Sequence, residues 1–291
     1  MNIKVAVNAK ASLGEGPSWD AKNNILYWVD ISSGLLHIFD PLENIDRLIS
    51  VGSMIGAVAP TSKGGVVAAL KSGFSLINTD NGEVTSLCNP ESDREGNRFN
   101  DGKCDPMGRF WAGTCAVNCD ITGAGSLYCL DNKMGVRKAL GNLTIANGLA
   151  WSPDHKTMYY IDTPTFEIWA FTFDNQNGEI GDRHVAVKVP EAIGLPDGMT
   201  VDSQGMLWVA HWGGGRICRW NPYTGALLDT IEFPVKNVSS YVFGGKYLNT
   251  LYVTSASWGL DKSALESQPL AGSLFSIEML VDGEPTYEYG G

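Results

Sequence analysis

Basic residues are scarce in this 291-residue chain: 21 Lys and Arg stand against 32 Asp and Glu, a formal net charge of −11 with an isoelectric point near 4.8. Binding to nucleic acid needs a basic stripe facing the phosphates, so this balance argues against it. Long apolar runs are also missing. None approaches the ~18 residues that a membrane-crossing helix needs, and the start, Met1-Asn-Ile-Lys-Val-Ala-Val, lacks the apolar region of a signal peptide. The expectation is a cytoplasmic protein without a membrane partner. Cysteine is sparse, with six residues. That is too few for a disulfide framework in a chain this long, so free thiols are expected, and Cys115 and Cys119 have no matching Cys or His pair at zinc-site spacing. Helical stripes are absent too, because 34 Gly and 13 Pro interrupt each stretch before an i, i+3, i+4, i+7 pattern can run ~11 residues. The sequons at Asn142 and Asn237 read as accidental, since a cytoplasmic chain does not meet the glycosylation machinery.

What the chain does have is a repeat. Glu15-Gly-Pro-Ser-Trp, Ile55-Gly-Ala-Val-Ala, Asn100-Asp-Gly-Lys-Cys, Asn147-Gly-Leu-Ala-Trp, Asp197-Gly-Met-Thr-Val and Ser240-Tyr-Val-Phe-Gly align, and each is followed 10 or 11 residues later by an apolar segment. Those segments begin at Leu26, Val66, Phe110, Met158, Leu207 and Leu251, so the intervals are 40, 44, 48, 49 and 44 residues. That period is the size of a four-stranded propeller blade; β-helical and leucine-rich repeats are mostly shorter. A second landmark keeps the same beat: an apolar residue, an Asp or Asn, then Gly four residues on. It occurs at Asn78 with Gly82, Asp131 with Gly135, Asp174 with Gly178, and Asn221 with Gly225, and it reads as a tight turn.

The expectation is one all-β domain over residues 1–291, a six-bladed β-propeller of four-stranded antiparallel blades around a central channel. An N-terminal strand, Ile3 to Val7, would complete the last blade and remove a sheet edge. Its neighbour is expected near Thr286 to Tyr289. Glycine directly after the head residue in most repeats would let backbone crowd the axis, so that the preceding side chains converge.

Four of the six head residues carry oxygen donors: Glu15, Asn100, Asn147 and Asp197. Hard oxygen ligands of this kind suit one divalent ion, Ca²⁺, Mg²⁺, Mn²⁺ or a catalytic Zn²⁺, and leave its identity open. Asn-Gly and Asp-Gly in isolation mostly mark surface hairpins. The proposed hairpins have their own marker elsewhere, which favours a metal cup.

With these segments in view, the chain resembles the regucalcin, gluconolactonase and luciferin-regenerating-enzyme family of six-bladed propellers, from Leu13 to the C-terminus. The resemblance is carried by Leu13-Gly-Glu-Gly-Pro, Trp28-Val-Asp-Ile, Arg98-Phe-Asn-Asp-Gly-Lys, Asp105-Pro-Met-Gly-Arg-Phe-Trp-Ala-Gly-Thr, Asn147-Gly-Leu-Ala-Trp-Ser, Leu195-Pro-Asp-Gly-Met and Phe243-Gly-Gly. It implies metal ligation by Glu15, Asn147 and Asp197 and substrate contact by Arg98 and Asn100. An acidic contact of that family is replaced here by Asn118, whose amide can still bond a sugar hydroxyl. The implied activity is hydrolysis of an aldonolactone such as gluconolactone. The ion would polarise the carbonyl and activate water, with Asp197 as general base.

The small-molecule substrate would be met by a monomer or weak homodimer. Alternative readings are a calcium-binding or ligand-binding propeller, or a phosphotriesterase-like or arylesterase-like hydrolase on the same cup. No Gly-x-Ser-x-Gly elbow is present, so a serine-hydrolase mechanism is not expected. His211 reads as a structural imidazole rather than a proton shuttle, and Trp28, Trp111, Tyr160 and Trp208 read as core aromatics.

Overall fold

A computed structural model describes residues 2–291 and shows six four-stranded antiparallel sheets. The innermost strands are Gly14–Asp20, Ile55–Pro60, Asn97–Cys104, Ala146–Trp151, Leu195–Val201 and Val238–Gly244, each in contact with the next and the last with the first. The six sheets therefore close a ring around one axis as a six-bladed β-propeller. Among the described residues the one α-helix is the short Lys262–Ser267, and no helix is long and apolar enough to cross a membrane.

Sequence pattern and burial follow from this stacking. The second strands are buried except at an end residue, and Val66–Leu70 and Phe110–Ala116 are buried throughout, because neighbouring blades cover both their faces. Outermost strands meet water, and Ile45–Ser50 and Val84–Cys88 are correspondingly mostly exposed and mix polar with apolar residues. The expected core aromatics are in the core: Trp28, Trp111 and Tyr160 are fully buried and Trp208 almost so. Two of them are pinned by aspartates six residues earlier. Trp111 Nε1 donates to Asp105 at 2.9 Å and Trp208 Nε1 to Asp202 at 3.0 Å, while the other oxygen of each aspartate accepts backbone N–H groups of its own turn.

The tight turns lie between the third and fourth strands of their blades. Side-chain oxygens of Asn78, Asp174 and Asn221 accept the N–H groups two and three residues on, and Gly82, Gly178 and Gly225 adopt φ of 79°, 70° and 71°. The copy at Asp131 differs, because its left-handed residue is Met134 and not Gly135. A fifth copy lies at Asp40, with Asn44 at φ 54° where the others carry glycine, so a search requiring Gly passes over it.

Ring closure matches the expectation in kind but not in partner. Lys4–Val7 pairs antiparallel with Leu274–Glu278 as the outermost strand of the sixth blade. Residues 286–289 do not flank it. Tyr289 instead bonds to Pro60 O and receives the N–H of Ser62, and Tyr287 Oη lies 3.0 Å from His155 Nε2. Glu284 to Tyr287 line a small cavity with Pro17, Lys103, Trp151 and Thr200, which lie two to four residues beyond the heads. The tail thus plugs the far end of the channel, since the sheet position expected for it is already taken by a strand with a better apolar face. Deleting residues 2–8 reopens the edge of Leu274–Glu278. Thermal unfolding should then begin at least ~10 °C lower, which circular dichroism would measure.

Candidate active site

Each head residue sits beside a β-bulge. Between Glu15↔Val29 and Ser18↔Tyr27, between Asn147↔Ile161 and Leu149↔Tyr160, and at the matching place in the other four blades, the inner strand holds one residue more than its partner. A bulge turns a side chain out of the alternating pattern, and six at one level aim the heads at the axis. The glycines that follow allow the close approach. A Cβ on Gly56 would lie 2.6 Å from the Phe99 carbonyl carbon, and one on Gly148 would lie 2.7 Å from Asp197 O.

At this level lies a cavity of roughly 200 Å³. All six expected site residues, Glu15, Arg98, Asn100, Asn118, Asn147 and Asp197, line it. Ile55 and Ser240 do not, and Ile55 packs into the apolar core between the first two blades. Glu15, Arg98, Asn100, Asn147 and Asp197 are buried, whereas Asn118 is exposed on the turn after Phe110–Ala116, at the rim.

Hydrogen bonds orient these groups. Thr163 Oγ1 donates its only hydrogen to Pro196 O (2.8 Å), so toward Asn147 it can only accept, which it does from Nδ2 at 2.8 Å. The Asn147 amide is thereby held with Oδ1 toward Asn100, where it accepts Nδ2 at 3.1 Å and keeps a second lone pair free. Asn100 is held from both ends: Nδ2 also donates to Ala146 O at 2.8 Å, and Oδ1 accepts Arg98 Nη1 at 2.7 Å. Arg98 further donates to Phe99 O, Val117 O and Cys119 Sγ. Four of its five N–H bonds are occupied, and one on Nη2 is left for a ligand.

The electrostatics of the cup are unfavourable without a cation. Neither Glu15 nor Asp197 forms an ion pair among the described residues. Burial, then the neighbouring Asp101, pushes the Glu15 carboxyl up to about 8 against the opposing Gly16 N–H and Arg98. Burial, then Glu15 and Asp101, also holds Asp197 well above the ordinary carboxylate range. Two buried, unpaired carboxylates beside an oriented amide oxygen form a hard, all-oxygen donor set that fits one divalent cation, and such a cation would remove the repulsion.

Residues 13–257 match the family described as SMP-30/Gluconolactonase/LRE-like region. The chain belongs to that family. It is 39% identical over 291 residues to a Bacillus subtilis (strain 168) protein provisionally named sugar lactone lactonase YvrE, covering all of this chain and 99% of that one. Chicken regucalcin (Gallus gallus) is 41% identical over 298 residues, again covering 100% of this chain and 99% of the relative. Among solved structures, a calcium-binding protein, regucalcin from Agrobacterium tumefaciens str. C58, superposes with a TM-score of 0.94 at 31% identity, over 98% of this chain and 96% of that one.

In this SMP-30/gluconolactonase chain several cavity residues lie outside the repeat. Leu13, Ile145, Leu195, Trp212 and Trp258 form an apolar wall, with the two indoles edge to face at 6.4 Å. Thr163 and Cys119 are also cavity residues. Each comes from a loop or strand end whose path the closed ring fixes, but the sequence leaves traces: Leu13, Ile145 and Leu195 stand two residues before the heads Glu15, Asn147 and Asp197, and Thr163 directly follows the strand Thr157–Asp162. His211 is fully buried and absent from the cavity wall, and burial lowers its imidazole to about 4, in keeping with a structural role. Thr163→Val removes the group that orients Asn147. Titration calorimetry should show divalent-cation affinity falling about 10- to 100-fold, with the fold unchanged by circular dichroism.

Proposed function

We propose that this chain is a divalent-metal-dependent lactonase that opens the ring ester of a sugar acid. The observation that carries this reading is that one cavity brings two kinds of group together. Glu15, Asn147 and Asp197 contribute oxygens to it, and Arg98 contributes a free N–H. Glu15, Asn147 and Asp197 would hold the cation, which when bound supplies Lewis-acid polarisation of a carbonyl and acidifies water. Asn100 acts by fixing both Asn147 and Arg98.

The residues divide the remaining work. Arg98, immobilised by four bonds, donates its free Nη2 hydrogen to a ring oxygen or hydroxyl, and Asn118 at the rim offers its amide to another hydroxyl. Trp212 and Trp258 present apolar surface to the C–H face of a sugar ring and shed water from it. Asp197 would take a proton from the attacking water as oxygen adds to the carbonyl carbon. When the ring C–O bond breaks, the same carboxyl returns the proton to the departing oxygen, and the product is the open sugar acid. The indole wall would also receive an aryl leaving group.

The test is turnover of glucono-, xylono- and galactonolactone beside an aryl ester and an organophosphate, with Ca²⁺, Mn²⁺, Zn²⁺ or Mg²⁺ added to chelator-treated protein. Metal-stimulated opening of at least one sugar lactone, at a kcat/KM above that for the other esters, is expected. A metal-loaded protein that cleaves the organophosphate and no lactone would overturn the reading.

A further inference from the structure

Of the six free cysteines, Cys104, Cys115, Cys129 and Cys218 are buried, Cys88 is half-buried on an outer strand, and Cys119 alone lines the cavity. Cys119 and Cys115 lie with their sulfurs 3.5 Å apart. The approach is built by the chain path. Cys115 is the last residue but one of a fully buried strand, the chain reverses in a turn closed by Cys119 N–H to Ala116 O at 2.8 Å, and Cys119 takes a left-handed φ of 59° that a non-glycine residue seldom adopts. A guanidinium completes the group: Arg98 Nη2 donates to Cys119 Sγ at 3.3 Å.

We infer that Cys115 and Cys119 form a peroxide-sensitive modification site on the cavity wall, a dithiol that closes to a disulfide and in doing so releases Arg98. A disulfide needs its sulfurs at about 2.05 Å, so they must close by roughly 1.5 Å, within reach of a rotation of Cys119. The hydrogen bond from Cys115 and the charge of Arg98 lower the Cys119 thiol to about 6 against its burial, while the same bond, then burial, raises the Cys115 thiol well above its ordinary range.

The chemistry balances with hydrogen peroxide as oxidant. Cys119 sulfur attacks one peroxide oxygen, an S–O bond forms as O–O breaks, and the departing hydroxide takes up the Cys119 proton as water. Cys115 sulfur then attacks the sulfenic sulfur; S–S forms, S–O breaks, and the hydroxide leaves as water with the Cys115 proton. Two thiols give up two electrons, and one peroxide becomes two waters. The Sγ lone pair that held Arg98 is turned toward Cys115, so one of four anchors of the guanidinium is lost.

The metal-loaded protein treated with hydrogen peroxide should lose two hydrogens, and fragmentation should place the bond between Cys115 and Cys119 rather than at Cys129. Dithiothreitol should reverse it. In Cys115→Ala, Cys119 should stop at the sulfenic acid and be captured by dimedone, and in reduced wild type iodoacetamide should label Cys119 at least ~10-fold faster than Cys88. Oxidation that spares Cys119, or that carries wild-type Cys119 to the sulfinic acid without pairing, overturns the site. The release of Arg98 rests on the lactonase reading and is read separately: pairing should raise KM for the lactone several-fold, reversibly, and pairing with KM unchanged overturns that part alone. Should no lactone be turned over at all, pairing still decides the site through the mass, and retention of a probe lactone on the metal-loaded protein before and after oxidation decides the release.

Discussion

Replacing Asp197 with Ala should lower kcat/KM for sugar-lactone opening by at least ~10³-fold, about 4 kcal/mol of transition-state stabilisation, because one carboxylate is both cation ligand and proton acceptor. The same substitution should make the chelator-treated protein more stable, not less. Asp197 is buried, repelled by Glu15 and Asp101, and without an ion-pair partner among the described residues, so removing it relieves strain that a cation would otherwise relieve. Steady-state kinetics and urea unfolding on the same preparation read both effects. More than a tenth of wild-type turnover in a metal-loaded, folded Asp197→Ala protein would sink the assignment.

A second large effect is expected in the pH dependence of the chelator-treated protein. The Glu15 carboxyl titrates at about 8 in the folded chain against 4.5 ordinarily. Between those values the folded state keeps a proton that the unfolded chain has released. Folding is therefore favoured below about 4.5, and that stability is lost progressively as pH rises to about 8. Wild-type protein in chelator should lose on the order of a few kcal/mol across this window relative to Glu15→Gln, seen as a fall in Tm of about 5 to 10 °C. Saturating Ca²⁺ or Mn²⁺ should flatten the curve, since the cation stabilises the ionised carboxylates. Cation affinity should rise over the same window by up to about tenfold per pH unit for each proton displaced. Differential scanning fluorimetry from pH 5 to 9, with and without cation, tests this, and parallel wild-type and Glu15→Gln curves in chelator would refute it.

The architecture was readable because it is written in short-range chemistry repeated six times. A strand that buries both faces must be apolar throughout, a tight turn needs an Asx residue and a left-handed position, and neither depends on distant parts of the chain. The turn at Asp40 shows the limit of that reading, because Asn44 meets the conformational need as glycine does elsewhere. The tail shows another. Thr286 to Tyr289 has strand-like composition, yet its place at the far end of the channel depends on Leu274–Glu278 having already filled the sixth blade.

The site divides along the same line. Head residues at one level of a periodic chain must face one axis once the ring closes, so Glu15, Asn100, Asn147 and Asp197 were marked by sequence alone, while the family resemblance supplied Arg98 and Asn118. Tertiary structure alone decided that Thr163 orients the Asn147 amide, that Arg98 has one N–H to spare, that Trp212 and Trp258 wall the cavity, and that Cys119 turns back on Cys115. These depend on loops brought together from separate blades, and the raised carboxyls depend on burial and on charges from other blades. A one-dimensional pattern carries neither distance nor dielectric, and both arise only when the ring is closed.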